Sequence, residues 1–121
     1  MRKNEARMVL AMKEKKERQE GPLSVRSYSW GSVASSYGSL IADITTDWDL
    51  VGETPVLTIH PPSQFSAATK SHMNAVLEGF GVPARVRTIK GVPHVVYSEG
   101  VQVPFDSPIK FNIGNIPAMA N

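Results

Sequence analysis

Residues 65–97 read FSAATKSHMNAVLEGFGVPARVRTIKGVPHVVY, and halfway along this stretch the hydrophobic period changes from helical to extended. Ser66 stands where a helix N-cap is wanted, since its hydroxyl can accept from an orphan N–H of the first turn. Phe65, Thr69, Met73, Val76, Leu77 and Phe80 recur at 3/4 spacing, which predicts a helix over Ala67–Gly79 with Gly79 and Gly81 as its stop. Ser71, Asn74 and Glu78 fall on the other side, expected to face solvent, and His72 sits at the border, expected to be half-buried and bonded to backbone. Beyond Pro83 the period becomes two. Ala84–Ile89 and Pro93–Tyr97 flank Lys90-Gly91, a dipeptide suited to a tight hairpin turn.

Working outward, Val101–Phe105 follows across Glu99-Gly100 as a further strand, Ile109–Ile113 as a last short one, and 114–121 as a tail. Upstream, Pro55–His60 alternates as a half-buried strand and is ended by Pro61-Pro62, with Asp47–Thr54 as a polar loop before it. Strands are also expected over 25–30 and 37–45, separated by the small-residue stretch Gly31–Ser36. Residues 4–20 are rich in helix formers and stop at Gly21-Pro22, which predicts an N-terminal charged helix with an i,i+4 pair from Glu14 to Arg18. The expected fold is α+β: a mostly antiparallel sheet with one packed helix. Residues 1–20 would be a basic helix, 23–113 a single domain and 114–121 a tail.

The chain has 121 residues, 41% of them hydrophobic and 20% charged, enough for one modest core. With no cysteine, disulfides, thiol nucleophiles and thiolate metal sites are excluded. The net charge of +2 is uneven: the first 20 residues hold seven basic and four acidic side chains, the remainder six basic and seven acidic. No stretch approaches the roughly 18 apolar residues of a membrane span, and the N-terminus lacks the apolar core of a secretion signal. No membrane association is expected, and the location expected is the cytoplasm of a host cell or a virion.

Several constellations bear on function. Apolar residues of the N-terminal helix are confined to its first half, so Met8, Val9 and Met12 are expected to bind a partner protein or a second copy. With Lys90-Gly91 as a two-residue turn, Arg87 faces His94 and Arg85 faces Val96. Arg85, Arg87 and His94 would then share one face, with Lys90 beside them, able to hold a phosphate or carboxylate. Lys13, Lys15, Lys16 and Arg18 would extend that basic surface toward nucleic acid. Tyr28, Trp30 and Tyr37, with Arg26 nearby, could serve as a stacking platform for single-stranded nucleic acid. His60, His72 and His94 show no metal-ligand spacing, even with Asp47, Asp49 and Glu53 considered, and neither metal nor cofactor is expected. No nucleophile elbow or carboxylate pair is present.

Residues 35–42 (Ser35-Ser36-Tyr37-Gly38-Ser39-Leu40-Ile41-Ala42) and 65–74 (Phe65-Ser66-Ala67-Ala68-Thr69-Lys70-Ser71-His72-Met73-Asn74) together resemble a small uncharacterised domain common in bacteriophage genomes. That domain reads Ser-Tyr-Gly-x-x-Ile-Ala and then Ser-x-Thr-Thr-Ser-Lys-His-x-Asn. Ser36, Tyr37, Gly38, Ile41 and Ala42 match the first motif. Ser66, Thr69, His72 and Asn74 match the second, while Ala68 replaces a Thr and Lys70-Ser71 inverts the usual order. The likeness spans about residues 35–80 and implies a phage-type origin, without an activity. Together these features suggest a non-enzymatic accessory or virion-associated protein acting through protein–protein binding or assembly. The alternatives are a nucleic-acid binder using the basic helix and hairpin, and a small anion-binding domain or enzyme centred on His72 or His94.

Overall fold

A computed structural model describes residues 1–45 and 55–113, so the loop expected at Asp47–Thr54 and the tail expected at 114–121 lie outside the described residues. The elements are α1 (Lys3–Glu14), β1 (Arg18–Glu20), β2 (Leu23–Tyr28), β3 (Gly31–Ser36), β4 (Ser39–Thr45), β5 (Val56–Ile59), α2 (Ala67–Gly79), β6 (Ala84–Ile89), β7 (Val92–Tyr97), β8 (Gln102–Pro104) and β9 (Ile109–Asn112). The α+β class holds, with two antiparallel sheets in place of one: β1-β2-β3-β4-β5-β9 and β6-β7-β8.

The hairpin of β6 and β7 has the expected register, with Arg87 opposite His94 and Arg85 opposite Val96. Lys90 and Gly91 both take positive φ, 51° and 78°, which the primed two-residue turn requires. Tyr37-Gly38 does the same between β3 and β4, at 52° and 80°.

Three expectations about the first 45 residues are corrected. The N-terminal helix ends at Glu14, not at residue 20. Lys15 turns left-handed and the N–H groups of Lys15 and Lys16 close back on the carbonyls of Met12 and Ala11. After Met12 the helix has no apolar side chain to bury, so propensity alone would have to sustain it, whereas Arg18–Glu20 gains a backbone partner along β2. The expected Glu14–Arg18 pair is therefore absent: Glu14 meets Lys16 and Arg18 meets Glu20. Finally, Gly31–Ser36 is an interior strand, not a break between two strands. Its small residues let α1 lie close: Ala34 is fully buried, and the Ser32 hydroxyl donates to the Met12 carbonyl at 3.0 Å.

A register shift at Ala34/Ser35 leaves Ile41 without a partner on β3, and consecutive residues Ile41 and Ala42 are both buried. The two helices run parallel. Ser71 meets Glu5, the Lys13 ammonium lies 5.4 Å from the Phe80 ring centre, and a Cβ added at Gly79 would come within 2.4 Å of Val9 Cγ1. Met8, Val9 and Met12 thus sit in the same core as Met73, Val76 and Leu77 of α2, Leu23 and Val25 of β2, and Val86 and Val95 of the second sheet. The first 20 residues are part of the domain and not a helix set apart from it.

Candidate functional site

The helix-start residues form a closed joint. The Ser66 hydroxyl accepts from the Thr69 N–H at 3.1 Å, as an N-cap should. Thr69 Oγ1 lies 3.4 Å from Ser36 Oγ, and Ser36 Oγ lies 2.7 Å from His72 Nδ1. His72 is only 2% exposed, and Tyr37 stacks against it with ring centres 6.2 Å apart. Its partner is a hydroxyl on β3, not backbone, and it is more deeply buried than the sequence suggests. Burial pushes the imidazole pKa below its ordinary value; the Glu5 carboxylate opposes this and Arg2 adds to it. The neutral ring therefore pins the end of β3 to the first turns of α2. Beside it a hollow of about 560 Å³ is lined by hydroxyls, including Ser36, Ser39, Ser63 and Ser66.

Asn74, expected in solvent, does something different. Its side chain accepts from the Val86 N–H at 2.7 Å and donates to the Val86 carbonyl at 3.1 Å, matching the free edge of β6 like an extra strand. One turn earlier, Lys70 Nζ donates to Thr88 Oγ1 at 3.2 Å. Lys70, Asn74 and Glu78 thus form a stripe on α2 that follows β6 in the opposite direction. Ser71, also expected in solvent, donates to Glu5 at 2.6 Å.

Along this seam runs a groove of about 740 Å³, lined by Arg2, Glu5, Lys70, Glu78, Arg85 and Arg87 among others. A second hollow of about 600 Å³ continues it past Glu78, Arg85 and Arg87 to Val96 and Tyr97. Glu5 is 1% exposed, and its oxygens already accept from Ser71 and from the Arg2 N–H at 2.9 Å. Arg85 and Arg87 are exposed and form no ion pair among the described residues. Three of the six cations in residues 21–121 line the groove, and Arg2 joins them from the start of α1. Residues at the starts of both helices, Arg2 and Glu5 of the first and Ala67 and Lys70 of the second, line its wall.

The other expected site residues fall elsewhere. Met8, Val9 and Met12 are 1%, 5% and 1% exposed, so the face expected to bind a partner is covered by this chain's own sheet and α2. Their apolar stripe matches the intramolecular core, not a free surface. Lys16 pairs with Glu14, and Arg18 shares Glu20 with Arg7. Lys13 lies over Phe80 at the C-terminal end of α2, and Arg18, on β1, borders a hollow with Asn4 and Met8; none of Lys13, Lys15, Lys16 and Arg18 lines the groove. Lys90 sits in the β6–β7 turn, and His94 Nδ1 lies 2.8 Å from the Val92 carbonyl on the same hairpin; neither lines the groove. Arg2 and Lys70 were not legible as site residues, because their meeting with Arg85 and Arg87 depends on which face α2 turns to β6.

Among the described residues no three His, Asp or Glu side chains gather as a metal site. His60 Nε2 lies 2.6 Å from Asp43 Oδ2, and Asp47, Asp49 and Glu53 lie outside the described residues. Tyr28 and Trp30 stack with ring centres 5.1 Å apart at one end of β3, and Tyr37 stands at the other end, roughly 20 Å away, so the three form no continuous platform. Among the described residues no helix is long and apolar enough to cross a membrane. No protein-family model matches the chain, and comparisons with curated proteins and with solved structures return no match either.

Proposed function

We propose that this protein is a non-enzymatic binding module acting through protein–protein contact, with the α2–β6 groove as its recognition surface and an acidic segment of a partner protein as its ligand. The observation that carries this is the pair Arg85 and Arg87, exposed on one face of a strand, in no ion pair among the described residues, and lining one groove with Lys70 and Arg2. A guanidinium offers a planar fork that takes a carboxylate bidentately, and two such forks side by side favour a ligand with more than one carboxylate.

The buried joint at Ser36 and His72 supports a binding role over a catalytic one. Ser36 is 1% exposed and its hydroxyl is shared between His72 and Thr69. The matches to the phage-encoded domain fall largely on that joint and on the Asn74 clip, so what the likeness preserves is architecture. A phage-type accessory or virion-associated protein remains the setting this likeness suggests. A nucleic-acid role is weakened by the ion pairs that Lys16 and Arg18 make with Glu14 and Glu20.

The test is fluorescence anisotropy with a labelled acidic peptide, a neutral peptide and oligothymidylate. The acidic peptide is expected to bind selectively, and replacing Arg85 and Arg87 together by Ala is expected to cut its affinity at least about tenfold. Tighter oligothymidylate binding with a steep salt dependence would transfer the groove to nucleic acid.

A further inference from the structure

Arg85 and Arg87 are two residues apart on one strand, so their side chains leave the same face about 6.7 Å apart along the chain. That spacing is held on both sides of β6. Across one edge β6 pairs with β7 from Ala84 to Ile89, and at the other the Asn74 amide holds both the N–H and the carbonyl of Val86, the residue between the two arginines. The forks are therefore presented at a fixed interval and not on a loop.

Resting on the reading of the groove as an acidic-segment site, we infer that its ligand is an extended peptide carrying carboxylates at every second residue. An extended chain repeats each face at the same interval as β6, so two carboxylates at i and i+2 meet both forks in register, and the intervening side chain points away.

The groove is also polar along its length. Lys70 lies beside Thr88 at one end, while Glu78, two helical turns on, lines the wall shared by the two hollows near Arg85. A continuous phosphate backbone would bring an anion against Glu78 as well as against the arginines. A peptide can place a neutral or basic residue there, and the apolar Val82, Pro83 and Val96 beyond it suit an ordinary side chain.

The experiment compares two labelled peptides of equal length, composition and net charge, one with Glu alternating with Thr and one with its Glu residues in a single block. A neutral Thr/Ser peptide and oligothymidylate complete the set. Binding is measured by anisotropy to the intact protein and to the Arg85→Ala/Arg87→Ala variant, with circular dichroism confirming that the variant is folded. The alternating peptide is expected to bind about tenfold tighter than the block peptide, and the variant should abolish the difference. Equal binding of both acidic peptides, lost in the variant, overturns the spacing and leaves the groove as an acidic-segment site. Binding of neither above the neutral peptide overturns both. Oligothymidylate binding tighter than either peptide overturns the peptide ligand in favour of nucleic acid.

Discussion

Both sides of α2 carry polar residues, and the two sides treat them in opposite ways. Toward β3 and α1, the side chains of Thr69, His72 and Ser71 close on Ser36 and Glu5, and among the described residues no buried side-chain polar atom lacks a partner. Toward β6, Lys70 and Asn74 bind the strand edge but leave Arg85 and Arg87 facing an open groove. A buried polar network is rigid only when every member is satisfied. An exposed cation pays no such penalty and keeps its capacity to bind. The closed side holds the fold together and the open side is what the fold presents.

The largest test of this contrast removes α1. Met8, Val9 and Met12 each contribute roughly 1.5–3 kcal/mol by burial, and together they rival the roughly 5–15 kcal/mol that stabilises a small domain. Losing α1 also strips the Glu5 partner from Ser71. A chain beginning at Gly21 is expected to lose cooperative unfolding in urea. A sharp transition in that shortened chain would mean that α1 is a separable arm.

The next test acts on the seam. Asn74→Ala deletes both hydrogen bonds to Val86 and leaves a strand edge short of partners, at a cost of about 1–3 kcal/mol. Hydrogen exchange should quicken at the Val86 amide while the Ser36–His72 joint keeps its protection. If exchange rises equally at both places, the two sides of α2 are one cooperative unit and the contrast fails.

How much of this was legible follows the same division. The cap and periodicity of α2 and the Lys90-Gly91 turn are local signals, and the structure agrees with them. The end of α1 is not local. Glu and Lys are good helix formers on either side of Glu14, and only the missing apolar residues and the waiting edge of β2 decide it. Gly31–Ser36 reads as a break between strands because it lacks large β-branched and aromatic side chains, yet the small size of its residues is what lets α1 approach. The polar side of α2 reads as solvent-facing for a related reason. An amide or an ammonium reads as exposed until an unpaired strand edge is placed against it, and no single-chain pattern reveals that Asn74 will meet Val86. The groove inherits that opacity, with Arg85 and Arg87 readable as a pair and Lys70 and Arg2 not.

A smaller effect comes from His72. Its folded pKa lies below its ordinary value of 6.5, so between the two the unfolded chain binds more protons than the native one. Stability from this group is complete above about pH 6.5 and is lost as pH falls through the native pKa. Urea midpoints measured from pH 8 to pH 5 should fall on acidification, and His72→Gln should flatten that part of the profile. An unchanged slope would assign the acid sensitivity to another group and leave the buried joint without a pH signature.

The smallest stability effect belongs to the residues with the largest proposed binding effect. Arg85 and Arg87 are exposed, make no ion pair among the described residues, and stand beside one another with like charge. Removing either relieves repulsion and loses only the packing of its aliphatic stem, so Arg85→Ala and Arg87→Ala are each expected to shift stability by no more than about 0.5 kcal/mol. The sign carries information, because a small gain in thermal midpoint at low salt, fading as salt is added, would show the two guanidinia straining against each other in the free protein. An anion placed between them relieves that strain. A loss of 2 kcal/mol or more in either variant would instead mean that the arginines hold the hairpin together and that the open side of α2 is structural after all.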